Sequence, residues 1–139
     1  AQGAEAPAPA APKLRILLAE DNAVNQKLVV RLLERRGHAV TAVANGLEAL
    51  AAHAEGGYDL ILMDLHMPEM DGLEAARRIR ERERGSARHT PVIAMTASTT
   101  DADHENCLGA GMDGVLTKPV NVAELIRRVE SAAAAAGRG

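Results

Sequence analysis

Four short apolar runs in this chain each end at a charged or hydroxyl residue, and no other feature constrains the fold as tightly. Leu14-Arg15-Ile16-Leu17-Leu18-Ala19 leads into Glu20-Asp21, and Leu60-Ile61-Leu62-Met63 into Asp64. Val92-Ile93-Ala94-Met95 leads into Thr96, and Val115-Leu116-Thr117 into Lys118-Pro119. Runs this short suit strands, and runs without alternation suit strands covered on both faces. Open α/β sheets take their ligands at the carboxyl ends of the strands. Parallel pairing would therefore bring three acids, a hydroxyl and an ammonium into one crevice.

Helical patterns separate these runs. Val24, Leu28 and Leu32 recur every four residues, with Val29 and Leu33 beside them, and Gly37 follows as a stop. His38 to Val43 reads as a further strand. Asn45 with Glu48, Asp71 with Glu74, and Asn121 with Glu124 have the spacing of a cap and its partner three residues on. They open helices carrying Leu47, Leu50 and Ala51, then Leu73, Ala76 and Ile79, then Val122, Leu125, Ile126 and Val129. A weaker helix is expected from about Asp101 to Ala110, anchored by Ala102, Leu108 and Ala110. Five strands alternating with five helices predict an α/β fold, a doubly wound parallel sheet with helices on both faces and right-handed crossovers.

The 139 residues are enough for one core. Residues 1–12 are rich in Ala and Pro and read as a flexible linker or cloning remnant, residues 13–135 as the domain, and residues 136–139 as a tail after a helical alanine run that Gly137 should stop. Acids outnumber Lys plus Arg by 19 to 16, which leaves no basic footprint for nucleic acid. Arg77, Arg78, Arg80, Arg82 and Arg84 alternate with Glu81 and Glu83 and read as a solvated helix face. Tyr58 is the only aromatic ring among Phe, Trp and Tyr, so base-stacking platforms are missing and the core must be aliphatic. Cys107 stands alone, which excludes an internal disulfide and reads as a small buried hydrophobe. No run reaches the roughly 18 apolar residues of a membrane span, and cytoplasmic residence without membrane contact is the expectation.

Each strand-end residue has an ordinary reading beside a chemical one. Asp64 could serve a turn, but a carboxylate can also attack phosphorus and hold a phosphoryl group as an acyl phosphate. Asp21 or Asn22 could cap the helix starting near Val24. Glu20 and Asp21 would also repel each other and Asp64 unless a hard cation joined them, and Mg²⁺ prefers such oxygens. Thr96 suits a strand end by propensity alone, and its hydroxyl could donate to a phosphoryl oxygen. Lys118 could be a surface lysine or could neutralise developing charge. Pro119 could take the cis form in a fixed turn. Pro68 constrains the loop after Asp64, and His66 in that loop reads as satisfied by solvent or a neighbour. His38, His53, His89 and His104 show no metal-ligand spacing.

Ala19-Glu20-Asp21-Asn22, Leu62 to Gly72, Met95-Thr96-Ala97 and Leu116-Thr117-Lys118-Pro119 together resemble the receiver domain of two-component response regulators. The resemblance runs from Leu14 to about Ala133 in order and spacing. It implies the flavodoxin-like sheet order 2-1-3-4-5, and phosphoryl transfer from a kinase phosphohistidine to Asp64, forming a 4-aspartylphosphate. It implies Mg²⁺, with Mn²⁺ as a substitute, held by Glu20, Asp21, Asp64 and the backbone carbonyl of His66. It further implies contact of Thr96 and Lys118 with the phosphoryl group, and a cis Pro119. The segment from Ala19 to Gln26 is most similar to receivers attached to hybrid sensor histidine kinases, which implies a histidine kinase domain and a histidine phosphotransfer protein as partners. Any membrane anchor would then belong to the parent kinase, and the isolated domain would carry Mg²⁺-dependent self-phosphorylation and dephosphorylation.

Val115 departs from the family pattern, which often has Tyr or Phe three residues before the lysine. A valine has no ring to swing inward, which favours a relay role over switching of an output domain. The alternative reading is a receiver-like interaction module that does not cycle phosphate. A free-standing enzyme with an aspartyl phosphate is disfavoured because His66 stands where a second acid is expected.

Overall fold

A computed structural model describes residues 14–67, 69–85, 89–97, 100–119 and 121–138, with side chains described as far as Ser131. The expectations for residues 1–12 and for Pro68 lie outside the described residues. The elements run β1 (Arg15–Ala19), α1 (Ala23–Arg35), β2 (Ala39–Val43), α2 (Gly46–Glu55), β3 (Leu60–Asp64), α3 (Gly72–Glu83), β4 (Val92–Thr96), α4 (Asp101–Gly109), β5 (Gly114–Thr117) and α5 (Val122–Arg138). The strands form one parallel sheet in the order β2-β1-β3-β4-β5.

Strand side chains alternate between faces, and the two cores follow that alternation. Leu17, Ala19, Ile61, Met63, Val92 and Ala94 pack with Leu50 of α2, Ala75, Ala76 and Ile79 of α3, and Cys107 of α4. Ile16, Leu18, Leu60, Leu62, Ile93, Met95 and Leu116 pack with Val29 and Leu33 of α1 and Leu125 and Val129 of α5. β1, β3 and β4 are therefore apolar on both faces. The edge strand β2 is half-buried at Val40 and Val43 and exposed at its other three residues.

The caps are local and form as the spacing predicts. Asn45 Oδ1 accepts from Glu48 N at 2.8 Å, Asp71 Oδ1 from Glu74 N at 2.9 Å, and Asn121 Oδ1 from Glu124 N at 3.0 Å. Each bond satisfies one donor that the first turn leaves orphaned, worth typically about 1 kcal/mol.

Four expectations are corrected. On α1 the ridge Val24–Leu28 faces outward, 76% and 54% exposed, while Val29 and Leu33 face the sheet. The two ridges differ by one residue, a rotation of about 100°, and both are apolar, so pattern alone does not select the inner one. On α4, Cys107 and Ala110 are buried while Leu108 is 57% exposed. The arginine series is not uniformly solvated. Arg80 donates to Gly111 O at 2.7 Å, Thr90 O at 2.9 Å, Glu83 at 2.6 Å and Asp113 at 2.7 Å. Arg82 donates to Leu50 O at 2.9 Å. Arg80 joins the loop carbonyls of Gly111 and Thr90 and Arg82 reaches a carbonyl of α2, long-range roles invisible in a charge pattern. Lastly, α5 continues past Gly137 to Arg138, because one glycine weakens a helix of good formers by only about 1 kcal/mol.

Candidate phosphoryl and cation site

The strand alternation that builds the α1/α5 core also delivers the site. Glu20 follows Leu18 by two residues, Asp64 follows Leu62, and Lys118 follows Leu116, so all three continue that face, Asp64 at the last position of β3 and the other two just past their strands. The register sets their depth: Ala19 pairs with Met63, Asp64 with Met95, and Thr96 with Thr117. The Lys118–Pro119 peptide is cis, and Lys118 N donates to Thr96 O at 2.7 Å, which ties the lysine to the end of β4. Gly72 lets α3 start against the carbonyl of Asp64, since a Cβ there would collide with that oxygen.

The side chains meet. Lys118 Nζ lies 3.1 Å from Glu20 Oε1 and 3.1 Å from Asp64 Oδ2. Glu20 Oε2 accepts from Asn22 N at 3.1 Å, and Asp64 Oδ1 accepts from His66 N at 3.3 Å. Glu20, Asp64 and Thr96 are buried and Asp21 is exposed. Ligand atoms of Glu20, Asp21 and Asp64 all lie within 4.8 Å of one another.

Electrostatics follow from this packing. Burial raises the Glu20 carboxyl above its usual range and the neighbouring Asp64 adds to the rise, against the Asn22 amide and Lys118. Burial works to lower Lys118, but its hydrogen bonds to Glu20 and Asp64 outweigh that and hold it as an ammonium. Three carboxylates cluster here and Lys118 contacts only Glu20 and Asp64 among them, which leaves an excess of negative charge. The donor set is all oxygen, as a hard divalent cation requires. The residues present therefore fit Mg²⁺.

Sequence comparison agrees with the geometry. Residues 16–130 match the response regulator receiver domain model. The chain belongs to the response regulator receiver family. It is 39% identical over 81% of its length to probable histidine kinase 1 of Oryza sativa subsp. indica, and that match covers 15% of the rice protein. Receiver chains solved by crystallography superpose on it. The receiver domain of sensor histidine kinase PA1611 from Pseudomonas aeruginosa, with a magnesium ion in its active site cleft, is 43% identical with a TM-score of 0.80, covering 88% of this chain and 98% of that one. The structure of the Saccharomyces cerevisiae phosphotransfer protein Ypd1 with the receiver domain of Ssk1 matches at 36% identity and a TM-score of 0.79, covering 85% of this chain and 87% of that one. This receiver is thus a phosphoacceptor domain with an acidic cluster suited to a divalent cation, closely related to the receivers of hybrid sensor histidine kinases.

Glu20, Asp21, Asp64, Thr96 and Lys118, expected together from the ends of the apolar runs, all lie at one end of the sheet. The sequence pattern does not point to Gln26, whose side chain donates to the carbonyls of Glu20 and Val43 at 3.0 and 3.2 Å. A glutamine inside an apolar helix pattern gave no signal, because its target carbonyls become neighbours only when β1 pairs with β2.

Proposed function

We propose that Asp64 is the phosphoryl acceptor of a phosphorelay receiver, supported by Glu20, Asp21, Thr96 and Lys118. The observation that carries this reading is the Lys118 ammonium held between Asp64 and Glu20 at 3.1 Å from each. An Asp64 carboxylate oxygen attacks phosphorus in line, forming a P–O bond as the P–N bond of a phosphohistidine breaks and its electron pair returns to the ring. Lys118, already an ammonium, moves from its carboxylate partners to the incoming phosphoryl oxygens. The hydroxyl of Thr96, at the end of β4, donates to another. Burial of Asp64 limits water access to the acyl phosphate. Glu20, Asp21, Asp64 and the His66 carbonyl would hold Mg²⁺, which supplies charge neutralisation at the transferred group. Slow self-phosphorylation from small donors, and dephosphorylation, use the same groups.

The partners proposed are a histidine kinase domain and a histidine phosphotransfer protein. The exposed Leu28, with Leu32, Ala97 and Pro119, lines a groove of about 370 Å³ that also takes in Glu20 and Lys118. An apolar rim next to a charged acceptor suits a helical protein that presents a phosphohistidine among apolar residues. Ypd1, a histidine phosphotransfer signalling protein, is seen in complex with the receiver domain of Ssk1. Attachment to a hybrid sensor kinase fits the relatives, of which this chain spans 6–16% of the length. The test is incubation with a radiolabelled phosphohistidine protein and Mg²⁺. Label should move to the parent chain and to Leu28→Ala more slowly, but not to Asp64→Asn. Equal transfer to Asp64→Asn would contradict the assignment.

A further inference from the structure

Gln26 Nε2 donates to the Glu20 carbonyl at 3.0 Å and to the Val43 carbonyl at 3.2 Å. Those carbonyls close β1 and β2, and Val43 O also accepts from Glu20 N at 3.0 Å. The other side of the turn is fixed as well. Asn22 N donates to Glu20 Oε2 at 3.1 Å, and Asn22 Oδ1 accepts from Asn25 N at 3.0 Å. Asn22 O accepts from Gln26 N at 2.9 Å. Asp21 therefore sits between two pinned residues, and among the described residues its exposed carboxylate is aimed by their peptides rather than by hydrogen bonds of its own.

We propose that Gln26 is a positioning residue for the cation site: it fixes the Glu20 peptide and so directs the Asp21 carboxylate toward Glu20 and Asp64. This rests on the reading that these three acids hold a cation. The residue type suits the task. A glutamine amide offers two N–H donors for two carbonyls and carries no charge. A glutamate there would repel both carbonyls and the acids. A lysine would add a second cation beside a site that must accept Mg²⁺. Groups behind a ligand commonly set its orientation, and their loss weakens metal binding about 10- to 100-fold.

The experiment is a Mg²⁺ titration of the full chain, followed by the amide signals of Asp21 and Asn22, with thermal unfolding measured in metal-free buffer. Gln26→Met keeps the length and removes the donors. Gln26→Ala favours the helix and removes them too. Arg80→Gln loosens the opposite end of the sheet and controls for stability. Both Gln26 variants should bind Mg²⁺ roughly ten-fold more weakly and show broadened Asp21 signals, while Arg80→Gln binds as the parent does. Parental affinity in the Gln26 variants, or an equal loss in Arg80→Gln, overturns the positioning role and leaves the cation reading standing. Absence of Mg²⁺ binding by the parent overturns both.

Discussion

The ammonium of Lys118 lies 3.1 Å from a carboxylate oxygen of Asp64, and Glu20 holds the same nitrogen at an equal distance. The lysine thus partly neutralises the acids that a cation would otherwise neutralise. Unit charges about 4 Å apart interact by about 4 kcal/mol at an effective dielectric near 20, before screening. Lys118→Met should therefore bind Mg²⁺ about ten-fold or more tightly while accepting phosphoryl groups more slowly, because the counter-charge for the product is gone. Calorimetric Mg²⁺ titration checks the first effect. Weaker Mg²⁺ binding would show that the lysine supports the cation site rather than competing with it.

Asp21 and Asp71 are both exposed acids near the site in sequence, but only Asp21 shares ligand range with Glu20 and Asp64. Asp71 caps α3 through Glu74 N at 2.9 Å. Asp71→Ala should cost about 0.5–2 kcal/mol of stability and retain Mg²⁺ affinity. Asp21→Ala should lose most Mg²⁺ affinity with little change in metal-free melting. The reverse pattern would misplace both residues.

Glu130 on α5 ties together two residues at the far end of α1. Its carboxylate accepts from Arg36 at 2.8 and 3.0 Å and from His38 Nε2 at 2.9 Å. His38 Nδ1 accepts from Leu14 N at 3.2 Å, which places the ring proton on Nε2. The Arg36 hydrogen bond holds the Glu130 carboxyl below its usual range, against burial and with help from His38. The folded state then binds fewer protons than the unfolded one, so this stability is present above the ordinary carboxylate value of about 4.3 and is lost as pH falls through the lower folded value. Denaturant titrations of the parent and Glu130→Gln should differ at pH 6 and converge below pH 4. A gap that widens on acidification would contradict the assignment.

These relationships also mark the limit of what the chain shows before it folds. Strand ends, caps and site acids were legible because each depends on neighbours within a few residues: Asn45 on Glu48, Asp71 on Glu74, and the termini of apolar runs. Gln26, Arg80 and the pair of His38 with Glu130 act across 17, 31 and 92 residues. Nothing local distinguishes them from ordinary helix or loop residues. The inward ridge of α1 stayed ambiguous for another reason: two apolar ridges compete, and only the packed sheet decides between them.

Val115 on β5 is half-buried against the α2–α4 core, and its carbonyl accepts from Arg128 at 2.9 Å. It has no ring to rotate, so a phosphoryl mimic should move amide signals around Asp64 and Ala97 more than those of β5 and α5. Val115→Tyr should enlarge the response along β5 and α5 while transfer to a phosphotransfer protein continues. Large shifts confined to Val115 and α5 in the parent, with Thr96 nearly silent, would refute this.

The most direct test is the intact mass of the chain after incubation with acetyl phosphate and Mg²⁺. The parent should gain one phosphoryl group, located at Asp64 by fragmentation after borohydride reduction, and Asp64→Asn should gain none. Equal labelling of the two proteins, or a label that maps to Glu20 or Asp21, would contradict the assignment of Asp64 as acceptor.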